Sequence, residues 1–204
     1  SGQPLPNAEF VEILNRTSDI LDLSQLSLAD ASSSASLGEQ IIFPGEYLIL
    51  CSSFDTASYS PFGRAIPLNS FPSLNNTQDS IRLVSQFGDA IDYVFYDDSW
   101  YRNANRTGNG TTLERIDPDF VDCNNPLNWR ASNASDKGTP GAENSVKAVF
   151  VDTDPPQISG VEVISSNEVI LTFNESMDAA SLMEEFNFSI NLSIGPPFRA
   201  IPLA

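Results

Sequence analysis

Histidine is missing from all 204 residues. With it go the commonest general base near neutral pH and the commonest metal ligand, so a Ser-His-Asp or Cys-His hydrolase and a histidine-ligated zinc site are excluded. Positive charge is scarce as well. Ten basic residues, two of them lysines (Lys137 and Lys147), face 27 acidic ones, for a net charge of −17. A surface that grips phosphate backbones concentrates lysine and arginine, so nucleic-acid binding is not expected. No apolar run approaches the roughly 20 residues that cross a bilayer, so no membrane insertion is expected. Cysteine occurs twice, at Cys51 and Cys123, too far apart for a CxxC motif. Two small core residues or one long-range disulfide would account for the pair. The Ser-, Thr-, Asn- and Asp-rich composition suits an exported protein and favours the disulfide. Several sequons, such as Asn15-Arg16-Thr17, Asn105-Arg106-Thr107 and Asn133-Ala134-Ser135, fit the same compartment. The start, Ser1 to Asn7, reads as following a removed leader.

What remains is enough for a core: 41% of the residues are hydrophobic. The periodic segments have period two. Ile81 to Phe87 alternates, with Ile81, Leu83 and Phe87 on one face; Gly88-Asp89 makes a turn, and Ala90 to Tyr96 runs back. This is a hairpin pattern. Pro44-Gly45 introduces a strand over Glu46–Cys51. Further strands are expected at Phe10–Leu14, Leu23–Leu28, Thr112–Ile116 and Lys147–Val151. Short strands between Gly, Pro, Asn and Ser clusters indicate an all-β sandwich or barrel. A stiff connector, 151–156, separates residues 1–150 from 157–204. Beyond it, strands are expected over Ile158–Ile164, Glu168–Phe173 and Phe186–Ile190, with a helical turn capped by Ser176 or Asp178. The second part is too short for a complete sandwich. Its open edge makes disorder, a dimer or a strand swap the expected consequence.

Residues 7–146 resemble the lamin tail domain in the form found in secreted bacterial proteins. Asn7 to Asn15 (NAEFVEILN) is similar to the family's opening strand, and Leu21 to Asp30 to its DLSGW segment, departing at Gln25-Leu26 where Gly-Trp is usual. Pro44 to Leu50 (PGEYLIL), Leu74 to Leu83 (LNNTQDSIRL), Thr112 to Ile116 (TLERI), Asn128 to Ser132 and Gly138 to Ser145 (GTPGAENS) follow in family order. Residues 155–204 resemble, more weakly, the first half of a bacterial Ig-like domain, through Val169 to Asp178 (VILTFNESMD) and Phe186 to Ile190. The resemblance implies an all-β, immunoglobulin-like β-sandwich followed by a truncated second Ig-like β unit, with no catalytic residues. It implies a binding or spacer module of an exported, bacterial, multidomain surface protein, whose partner is a protein or an extracellular polymer. The alternative is an accessory polymer- or carbohydrate-docking piece of a secreted hydrolase or nuclease.

Three groups are candidates for binding. Asp117, Asp119 and Asp122 in one loop, and Asp152 and Asp154 in the connector, read first as solvated acids and second as a calcium site, although none has the EF-hand spacing. No other cofactor is expected. The aromatic group Tyr96, Trp100, Tyr101 and Trp129 reads first as packing and second as a stacking platform. Trp100 and Tyr101, after a strand, are the more credible exposed pair, with Trp129 as a core lid. Glu114-Arg115 reads as an ion pair on a sheet face rather than as half of a glycosidase pair with Asp97 or Asp98. Asn103 to Thr112 is polar and glycine-bearing, the composition of a mobile surface loop.

Overall fold

A computed structural model of the chain describes residues 4–120, 122, 124–151, 153, 155–175, 177–191 and 194–202. It is mostly strand with few helical turns, in several sheets and no barrel: an all-β protein. The strands of the first part are β1 (Phe10–Leu14), β2 (Leu21–Asp22), β3 (Leu26–Ala29), β4 (Ser34–Ser36), β5 (Ile41–Ile42), β6 (Tyr47–Ser52), β7 (Ala65–Leu68), β8 (Gln78–Ser85), β9 (Ala90–Asp97), β10 (Leu113–Arg115) and β11 (Trp129–Ala131). β12 (Ile158–Ser165) and β13 (Glu168–Phe173) follow. Two short helices, α1 (Thr56–Tyr59) and α2 (Ala179–Met183), complete the count of α elements among the described residues. The chain divides into two compact units, Ser1–Val151 and Asp152–Ala204.

In the first unit a three-stranded sheet has the order β1-β6-β7 and a four-stranded sheet the order β4-β3-β8-β9. β6 is central because its run Leu48 to Cys51 is apolar without a break. Such a strand suits a position covered on both faces, and all four residues are fully buried. Leu48 and Leu50 join Ile66 and Leu68 of β7, Leu28 of β3 and Ala35 of β4 in one core, against which Ile81 and Leu83 of β8 pack. That cluster draws on both sheets. Ile49 and Cys51 point the other way, toward Tyr59, Phe10 and Phe62. β6 and β7 run parallel, and α1 lies in the crossover between them. This parallel pair was not legible, because Pro67 argues against a strand; it is tolerated here on a sheet edge.

The expected hairpin is present, β8 against β9, with Gly88 at φ 90° in its turn. Phe87 does not share the face of Ile81 and Leu83. β8 ends at Ser85 and Phe87 stands in the turn, 81% exposed. Of Leu23–Leu28 only Leu26 to Leu28 is strand, in β3; Leu23 to Gln25 form the turn that follows β2. Lys147–Val151 is no strand; its backbone is held at single points, Ala148 N–H on the Ile116 carbonyl and Phe150 N–H on the Asp117 carboxylate.

In the second unit β12 and β13 form an antiparallel pair. Val161, Val163 and Val169 on one of its faces are 62%, 71% and 42% exposed. Asp178 caps α2 by accepting the Ser181 N–H; Ser176 lies outside the described residues. The expected strand at Phe186–Ile190 is instead a 3₁₀ turn over Glu185–Asn187 and a single bridge from Ile190 to Gly195.

One glycine is fixed by a close approach. Gly141 has φ 74°, and a Cβ there would lie 2.4 Å from the Phe62 carbonyl oxygen. Gly45 has a similar φ of 72° with open space around it. Gly141→Ala is therefore expected to cost clearly more than Gly45→Ala. The left-handed conformation alone costs an alanine about 1 kcal/mol, and the clash must be added at Gly141. Urea midpoints of the two variants check the order.

Candidate functional site

The acids are the first group to place, and several of them hold other segments of the chain in position. Glu114, in the centre of β10, is 4% exposed. Its carboxylate accepts the hydroxyls of Thr139 (2.9 Å) and Ser145 (2.7 Å), with Thr112 at 3.3 Å. Buried acceptors need such donors, and an alternative ion pair would have to be desolvated. The expected Glu114-Arg115 ion pair is not what forms: Arg115 turns to Asp92 at 3.8 Å and to the Phe120 carbonyl at 2.6 Å. Glu12 of β1, half-buried, accepts the Gly141 N–H. Burial pushes its pKa up to about 8, opposed by the Gly141 bond and reinforced by the nearby Glu114. Asp117 accepts from Phe150 N–H (3.0 Å) and Asp119 N–H (2.9 Å), which holds its carboxyl below the usual carboxylate range.

The calcium candidates divide in two. In the loop, Asp119 pairs with Arg16 at 3.3 Å and Asp122 accepts the Asn124 N–H at 3.0 Å. With Asp117 occupied as above, each carboxylate has its own partner. Among the described residues no group of three His, Cys, Asp or Glu side chains is placed to hold a metal ion. Asp152 and Asp154 lie outside the described residues.

Trp100 and Tyr101 do not form a platform. Trp100 sits in a 3₁₀ turn, Asp98–Tyr101, and is buried at 7% exposure. Its ring packs on Trp129, centroids 6.3 Å apart. Tyr101 is half-buried, and burial raises its phenol pKa. β11 brings the half-buried Trp129 beside the turn, and its ring covers that of Trp100. The loop from Asn103 is tied down too, since the Arg106 guanidinium donates to the carbonyls of Ser132 (2.6 Å) and Ala134 (3.1 Å). Of the cysteines, Cys51 is a free, fully buried thiol whose pKa burial raises. Its expected partner Cys123 lies outside the described residues.

Exposed aromatic surface appears elsewhere, on β9. Antiparallel partners share a face, so the register Ser80↔Phe95, Arg82↔Tyr93 puts these four side chains together on the face opposite Ile81 and Leu83. Tyr93 is 47% and Phe95 55% exposed. Sequence reading missed them because the unbroken apolar run of Tyr93 to Tyr96 suggests a strand covered on both sides. The register with Arg82 was the available signal. Asn124 closes part of the strand's outer edge by accepting the Phe95 N–H at 2.6 Å.

No family model, curated protein or solved structure matches the chain.

The raised Glu12 pKa sets a sign. An unfolded glutamate releases its proton near 4.5 and the folded one near 8, so the folded state binds more protons between those values. Stability falls as pH rises through that window. Glu12→Gln keeps the acceptor and removes the titration. Its unfolding midpoint, measured against wild type from pH 5 to pH 9, should gain on the wild type with increasing pH. One titrating group supplies at most about 1.4 kcal/mol per pH unit.

Proposed function

We propose that the chain is a non-catalytic, immunoglobulin-like β-sandwich module of the lamin-tail kind. A second, partial Ig-like β unit follows it, and the pair acts as a binding or spacer segment of an exported bacterial surface protein. The observation that carries this reading is the use made of the buried and half-buried acids. Glu12, Glu114 and Asp117 accept bonds from one segment, residues 139–150, and so act as structural ties. A catalytic carboxylate needs a free face toward a substrate. The core shared by the two sheets supports the sandwich assignment. Its partner is a protein or an extracellular polymer, with nucleic acid disfavoured by the charge of −17. The bare apolar face of β12 and β13 supports association between copies, because a lone two-stranded sheet is marginal in water.

The second reading, an accessory docking piece of a secreted hydrolase or nuclease, is favoured by the exposed rings of Tyr93 and Phe95. Both readings place catalysis outside these residues. Prolonged incubation of the full chain with polysaccharides, casein and DNA, assayed for soluble products, should release none above the buffer blank. Product release that scales with protein concentration and is lost in a Glu114→Gln variant would end both.

A further inference from the structure

The outer face of the four-stranded sheet differs in chemistry from the rest of the molecule. Reading across it from β4, the register aligns Ser36 with Ser27, which lies opposite Val84, while Arg82 and Ser80 meet Tyr93 and Phe95. The face thus grades from hydroxyls on β4 and β3, through one guanidinium on β8, to two aromatic rings on β9. On a chain of net charge −17, its described residues include one carboxylate. That group, Asp97 at the end of β9, is already engaged by the Ser99 N–H at 2.8 Å. Arg82 is engaged as well, donating to the Asp30 carbonyl at 2.8 Å. Tyr93 and Phe95, two positions apart on one strand, stand about 7 Å from each other along it.

We infer that this face is a docking platform for an uncharged polysaccharide chain, with the rings of Tyr93 and Phe95 stacking on sugar faces and the serine hydroxyls of β3 and β4 bonding sugar hydroxyls. The inference rests on the binding-module reading above. Charge selects the ligand class. An anionic polymer is repelled by the surrounding acids over roughly the 8 Å screening length of physiological salt. A cationic one is drawn by those same acids to the rest of the surface, since the face itself carries a single carboxylate, Asp97, with one oxygen already on the Ser99 N–H. An uncharged polyhydroxylated chain meets neither cost, and it offers what aromatic rings and hydroxyls recognise: apolar C–H faces bordered by donors and acceptors. A peptide adding as an extra strand is disfavoured at the centre of β9, where Asn124 already takes the Phe95 N–H.

The test is retention of the full chain at physiological ionic strength on insoluble cellulose, xylan, β-1,3-glucan and chitin, with alginate gel as the anionic comparison. Wild type should be retained on at least one uncharged polymer and not on alginate. Tyr93→Ala/Phe95→Ala should lose at least tenfold in retention while its circular dichroism and melting temperature stay near wild type, as expected for side chains about half exposed. Phe54→Ala, which removes a ring that is 93% exposed and outside this sheet, should bind as wild type does. Retention on alginate alone, retention indifferent to the double substitution, or no retention on any uncharged polymer would each overturn the docking site. The spacer role survives those results. It is soluble sugar release, scored in the same tubes, that tells against the non-catalytic reading.

Discussion

The segment from Gly138 to Phe150 forms no strand, yet the first unit closes through it. Carboxylates do the holding: Glu12 of β1 takes the Gly141 N–H, Glu114 of β10 takes the Thr139 and Ser145 hydroxyls, and Asp117 takes the Phe150 N–H. The bonds to Asp117, whose carboxyl is held below the usual range and so stays ionised, are of the charged kind and contribute about 1.5–3 kcal/mol each. Glu12, pushed up to about 8, instead holds Gly141 near neutral pH mainly as an uncharged carboxyl. The arrangement is also exacting. Gly141 must lie against Phe62 and Gly63 with no side chain of its own, and Glu12 and Glu114 must share low-dielectric surroundings. The raised Glu12 pKa is the electrostatic record of that crowding.

A net charge of −17 would ordinarily read as a solvated, repulsive surface. Here some of the acids are structural acceptors, and others cap turns, as Asp97 and Asp178 do. Tying loops with aspartate and glutamate leaves aromatic residues to be divided between packing and surface. Trp100 and Trp129 are placed against each other, while Tyr93 and Phe95 face outward. The same economy shapes the docking face: its carboxylate and its guanidinium are bound to backbone groups, which leaves hydroxyls and rings for a ligand.

What could be read from the sequence was what local period and turn chemistry determine. β6 follows from an unbroken apolar run, and the β8–β9 hairpin from alternation around Gly88. Features set by distant partners could not be read. Lys147–Val151 has a strand's composition, but the Ile116 carbonyl and the Asp117 carboxylate, just after β10, capture that backbone first. Trp100 looked exposed because the residue that buries it, Trp129, arrives on a strand much later in the chain. Glu114 looked like half of an ion pair because sequence neighbours suggest partners that burial rules out. Tyr93 and Phe95 looked covered because apolar runs are usually covered; the register with Arg82 and Ser80 shows which face stays open. The exported location and the lamin-tail resemblance remain sequence-based readings.

Native-state hydrogen exchange tests the central claim most directly, that side-chain carboxylates hold the closing segment as part of the core. Amides bonded only to side chains in a loose loop exchange with little protection, whereas those of a cooperative unit open with the global free energy. The account predicts that Gly141 and Phe150, whose N–H groups rest on Glu12 and Asp117, are protected to nearly the same degree as Leu48 and Leu50 in β6. Exchange of those two amides at the rate of unstructured chain, while β6 stays protected, would contradict it.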